Sequence, residues 1–138
     1  MNQANEILVL EPTYKENWEI PGGIVEANES PRAAALRDTR EEIGIELADE
    51  ALRLAAIEYM AAGEQKTEAL MFIFNGGVLS EEQISRISID GHEIRSCRFL
   101  APDPAVQLLG PILGKRVLRA LKALVNGAEI YFEGRYAE

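Results

Sequence analysis

The chain has 138 residues, 47% of them hydrophobic, with one cysteine, one histidine and a net charge of −9. That length suits a single domain over residues 1–138 with its own core, and the acidic balance argues against DNA, RNA or anionic membranes as partners. Cys97 alone excludes an intrachain disulfide, and with His92 it is too little for a Cys/His zinc site; the lack of a leader-like or membrane-length apolar run gives the expectation of a soluble, cytoplasmic protein.

Residues 7–10 form an apolar run bounded by Pro12, and residues 18–20 alternate before Pro21, Gly22 and Gly23, so both stretches read as strands with a loop between them. A helix follows. Ser30 suits its N-cap, Pro31 its first position and Gly44 a left-handed C-terminal turn. Asp38, Glu41 and Glu42 stand at i, i+3 and i+4, so one side of the helix carries three carboxylates close to its negative end. Their repulsion can be offset by a hard divalent cation such as Mg2+, which takes oxygen ligands. It can also be relieved by solvent together with Arg37 and Arg40.

Residues 52–60 and 69–74 read as strands of a hairpin across the polar turn at 62–66. Ser80 and Gln83 have the spacing of a capping box for a short helix near residues 81–87, and residues 95–100 read as another strand. After Pro102 and Pro104, Ile112, Leu113, Val117, Leu118, Leu121, Leu124 and Val125 recur at helical spacing. Gly127 ends that helix. Lys115, Arg116, Arg119 and Lys122 on its other face are expected to be solvated. Residues 130–132 are left as a short strand or an ordered tail.

Gly23, Glu29, Arg37, Glu41, Glu42, Gly44 and Ile45 fall in the register glycine, five residues, glutamate, seven residues, arginine, and then Glu-Glu-x-Gly-aliphatic. This pattern resembles the signature of the Nudix hydrolases, and the preceding residues 18–23 resemble the strand that enters it. Two positions depart from the family pattern: Asp38 stands where glutamate is usual, and Thr39 where an aliphatic residue is usual. The resemblance spans roughly residues 7–100. It implies an α/β fold, an α+β mixed-sheet sandwich, from which the family's usual first N-terminal strand is missing. The edge so exposed would be covered by the C-terminal helix and tail or by a second copy in a homodimer.

The resemblance also implies water attack on a pyrophosphate phosphorus in a small nucleotide derivative, with Mg2+ or Mn2+ as cofactor. Glu41 and Glu42, joined by the Gly22 carbonyl, are the implied metal ligands. Asp38 serves a second metal or an outer-sphere contact, and its shorter arm raises the alternative of a catalytically weakened nucleotide-binding or regulatory domain. Arg37 orients the carboxylates through Glu41 and Glu29. Glu93 is a candidate metal ligand or general base, or else a surface acid. Trp18 either stacks on a base or belongs to the core, and Tyr59 is a candidate substrate contact by position. Messenger-RNA decapping is disfavoured by the acidic balance.

Overall fold

Four consecutive apolar residues open β1 (Ile7–Pro12), and the computed structural model, which describes residues 1–127 and 129–136, buries all four. Side chains alternate along a strand. Leu8 and Leu10 therefore join Ile43, Ile45, Leu79 and Ile94 in one cluster, while Ile7 and Val9 join Ala105, Leu109 and Val117 in another. Burial on both faces explains the unbroken apolar run. Val9 and Leu10 have no exposed surface, and each such side chain contributes about 1.5–3 kcal/mol.

β1 pairs antiparallel with β4 (Ile94–Leu100), Ile7 opposite Leu100 and Leu10 opposite Cys97. The second sheet has the order β3-β2-β5. In it β2 (Arg53–Ala61) runs antiparallel to β3 (Ala69–Asn75), as expected of the hairpin, and parallel to β5 (Tyr131–Arg135). Among the described residues three α-helices complete the mixed α/β architecture, α1 (Pro31–Ile43), α2 (Glu81–Ser85) and α3 (Pro102–Asn126), with a 3-10 turn at Asp49–Ala51. The capping box of α2 is present as read, with Ser80 and Gln83 bonding reciprocally. Among the described residues no helix is long and apolar enough to cross a membrane.

Four features differ from the sequence reading or complete it. The strand expected at residues 18–20 is a single bridge, in which Leu10 and Glu19 exchange backbone hydrogen bonds of 2.7 and 2.9 Å. Trp18 N–H instead donates to Leu108 O of α3, and Pro21 has no N–H with which to extend a ladder.

α3 begins ten residues before the expected Ile112, because Pro102 takes the first helical position and does not merely punctuate the chain. The helix kinks at Gly110, whose φ of 83° is left-handed. A side chain there would also strike Asn17, its Cβ falling 2.6 Å from Nδ2.

The charged face of α3 is not all solvated. Arg116 Nε donates to Glu58 Oε1 at 2.5 Å, and Arg119 Nη1 lies 3.5 Å from Oε2 of the same carboxylate. Glu58 is buried at the centre of β2, where a carboxylate without a cation would be costly.

The tail is β5. Its register against β2 runs from Ile57 opposite Tyr131 to Ala61 opposite Arg135. Phe132 packs with Ala55, Ala56 and Ala120, and Gly134 leaves the space above Glu58 that any side chain would fill. The chain's own C-terminal strand thus takes one edge of β2.

Candidate active site

α1 is fixed at both ends. Ser30 Oγ accepts from Ala33 N–H at 3.0 Å, and Gly44, at φ 72°, donates its N–H to Arg40 O. Along the helix Ala34, Asp38 and Ile43 point inward. Asp38 is 6% exposed. It fits because it faces Gly23, where a Cβ would stand 2.9 Å from Oδ2.

Arg37 is the hub of the site. Its Nε and Nη2 reach the two oxygens of Glu29 at 2.7 and 2.9 Å, a bidentate pair. Nη2 also donates to Ile24 O at 3.2 Å, and Nη1 donates to Asp38 Oδ1 at 3.1 Å and Glu41 Oε2 at 3.4 Å. Glu29 is pulled down to about 2, first by the Arg37 hydrogen bonds and then by the Glu26 backbone. Arg37 is correspondingly raised, chiefly by Glu29.

The helix acids have different environments. Glu41 is exposed and leans on Arg37. Glu42 turns back to the Gly22 N–H, at 3.3 and 3.4 Å, so the glycine-rich turn meets it through an amide. Glu42 is pushed up to about 8, first by burial and then by Asp38, Glu19 and Glu93, against the pull of the Gly22 amide. Burial likewise raises Asp38, with Arg37 opposing and Glu41, Glu29 and Glu26 adding to the rise.

Glu93 is exposed just before β4. Its backbone carbonyl accepts from Thr13 N–H at 2.9 Å, which ties it to the turn after β1, and its charge reaches Glu42. Sequence reasoning missed Glu19, whose charge also bears on Glu42. Lys15 Nζ lies 2.9 Å from Glu19 Oε1, and the Tyr14 hydroxyl donates to the same oxygen. That hydrogen bond raises Tyr14 to about 12. Glu19 lies only three residues before Gly22, and that proximity was the one signal available.

A cavity of about 710 Å3 lies between the two sheets, with Gly22, Gly23 and Asp38 among the residues that line it. Its walls are mainly apolar, with Ile73, Phe72, Leu113 and Val117 among them. Trp18 packs on the Ile7–Val9 cluster, and Tyr59 donates its hydroxyl to Glu68 Oε2 at 2.7 Å. Neither lines the cavity.

Among the described residues no three His, Cys, Asp or Glu side chains converge closely enough to hold a metal ion, since Glu41 is drawn to Arg37 and Glu42 to Gly22. The donor chemistry nevertheless fits a hard divalent cation. Asp38 Oδ2 is buried without a hydrogen-bond partner, and Asp38 and Glu42 are both raised, first by burial and further by neighbouring carboxylates, a crowding that a divalent cation would relieve.

The chain is similar to known proteins in sequence and in fold. A relative from Proteus vulgaris, an 8-oxo-dGTP diphosphatase, is 57% identical over 50 residues, 33% of this chain and 45% of that protein. A Mycobacterium tuberculosis relative is 50% identical over 38 residues, 28% of this chain and 27% of its own length. The matched stretches thus span less than half of either relative. The crystal structure of the MutT protein from Methanosarcina mazei Go1 superposes with a TM-score of 0.70 at 16% identity, covering 93% of this chain and 89% of that one, a likeness of fold. The family model described as NUDIX domain matches residues 1–121, and the chain belongs to that family.

Proposed function

We propose that the chain hydrolyses the pyrophosphate bond of a small nucleoside diphosphate derivative, of the nucleotide-sugar, ADP-ribose or nucleoside triphosphate type, with Mg2+ or Mn2+ held by the acids of α1 and the Gly22 turn. The carrying observation is that Arg37 of α1 gathers Glu29, from the loop before the helix, with Asp38 and Glu41 of the helix itself, next to the crowded Glu42 and beside the cavity that Asp38 lines. The name of the Proteus relative, a nucleotide diphosphatase, supports the same chemistry.

Glu41, Glu42 and the Gly22 carbonyl are the proposed ligands, with Asp38 supplying the remaining buried oxygen. A bound divalent ion would neutralise phosphate charge and lower the pKa of the attacking water. Arg37 acts as a positioning residue: held by Glu29, it sets where Asp38 and Glu41 stand. Glu93 is the proposed acceptor of the water proton, since it is exposed and within electrostatic reach of Glu42. For substrate contacts, the cavity walls favour Tyr14, Lys15 and Asn75 over Trp18 and Tyr59.

A nucleotide panel assayed with Mg2+ and with Mn2+ tests the proposal. Phosphate-containing products from at least one member are expected. No turnover of any member, together with no metal binding, contradicts it. Asp38 and the unconverged acids favour one other reading, a weakened nucleotide-binding or regulatory domain. Asp38→Glu separates the two: a large gain in turnover marks impaired chemistry, and a loss marks an aspartate built into a working site.

A cytoplasmic compartment is proposed on the unpaired Cys97. A homodimer is proposed too, although β5 already fills one edge of β2. Its remaining support is β3, which among the described residues pairs on one side only and carries no charge along Ala69–Asn75. Light scattering across a dilution series tests it, and a monomer at every concentration contradicts it.

A further inference from the structure

Among the described residues the charged side chains lining the cavity are Lys15, Glu19, Asp38 and Arg116. The first three belong to the site around Gly22 and Glu42. Arg116 comes from α3, among Leu113, Val117 and Ala120. Its side chain is 12% exposed, and its Nε is anchored 2.5 Å from Oε1 of the buried Glu58. Arg119 holds the other oxygen of that carboxylate.

An ion pair in such a place contributes little net stability, because well-packed apolar residues of similar size do as well or better. A largely apolar cavity with few fixed polar groups is, by contrast, the usual construction of a site that must tell small molecules apart. Guanidinium is a rigid planar fork with five donors, of which Glu58 engages the Nε.

We infer that Arg116 is a specificity-determining residue for the base of the substrate, its remaining N–H donors meeting two adjacent acceptors such as O6 and N7 of guanine. Adenine sets an amino group where guanine has O6, so that donors face donors. The inference rests on the proposed function in one respect, that the organic part of a nucleotide enters this cavity. Glu58 and Arg119 act behind the fork: Glu58 aims it, and Arg119 helps to neutralise Glu58.

Calorimetric binding of GMP and AMP to the full chain tests this without requiring turnover. The wild type is expected to bind GMP roughly 5- to 100-fold more tightly than AMP, the discrimination of one bidentate pair. Arg116→Lys keeps a cation beside Glu58 but loses the fork, and it should bring the ratio close to one with AMP affinity little changed. Lys122→Ala, exposed on α3 and outside the cavity wall, should keep the wild-type ratio. If Arg116→Lys fails to fold, as a thermal melt would show, Glu58→Gln serves in its place and should lower the ratio by loosening the fork. Equal affinities in the wild type, or a preference that survives Arg116→Lys, overturn the inference. A guanine preference lost in Arg116→Lys, alongside no turnover in the nucleotide panel and no metal binding, supports the inference while removing the hydrolase assignment.

Discussion

A Cβ on Gly23 would stand 2.9 Å from Asp38 Oδ2 and 3.2 Å from Asp38 Cγ. Asp38 cannot yield freely, because Arg37 Nη1 holds Oδ1 at 3.1 Å. Gly23→Ala should therefore cost about 1–3 kcal/mol by overpacking. In the Gly23→Ala, Asp38→Ala double variant the clash is gone, and its cost should fall short of the sum of the two single costs. Urea unfolding of both single variants and the double measures the coupling; strictly additive costs would mean that the contact does not constrain Asp38.

Glu42 makes stability depend on pH in a direction set by its raised value. Folding lifts this carboxyl from 4.5 to about 8, so the folded state holds the proton more tightly than the unfolded chain. Its contribution is fully present below pH 4.5 and is lost as pH rises through about 8. In metal-free buffer the melting temperature of the wild type, relative to Glu42→Gln, should fall between pH 5 and pH 9. Added Mg2+ should stabilise the wild type more at the upper end, where the carboxylate is free to ligate. A constant difference between the two proteins across that range would show that Glu42 is not desolvated as described.

Glu29 has the opposite sign. Arg37 lowers it to about 2, so its contribution is present above pH 4.5 and is lost as pH falls through about 2. Because Glu29 anchors the arginine that arranges Asp38 and Glu41, Glu29→Ala should lower the melting temperature at pH 7 more than Glu41→Gln or Glu42→Gln. Removing a carboxylate near the helix C-terminus relieves repulsion instead. Melts in which Glu29→Ala is the mildest of the three would contradict the hub role of Arg37.

What could be read from the sequence was local. Ser30, Pro31 and Gly44 act within a turn of the positions they cap, and Arg37 meets Glu41 through helical spacing alone. The Glu29 contact, eight residues away, came with the family pattern. The rest depends on chain crossings that no spacing encodes. Glu58 and Arg116 are 58 residues apart and meet only because α3 lies on β2. β5 could be seen as a strand but not placed, since a parallel partner is chosen by the whole topology. Glu19 is fixed within electrostatic reach of Glu42 by its bridge to Leu10, and a period-2 pattern three residues long does not distinguish a strand from a single bridge.

The central claim is that the acids at the end of α1 hold the ion that makes pyrophosphate hydrolysis possible. Steady-state turnover of the best nucleotide at saturating Mg2+, compared among the wild type, Glu41→Gln and Glu42→Gln, tests it most directly. Each variant should lose roughly a hundredfold or more in kcat, with melting temperatures equal to the wild type or slightly higher. Unchanged turnover in both folded variants would contradict the claim.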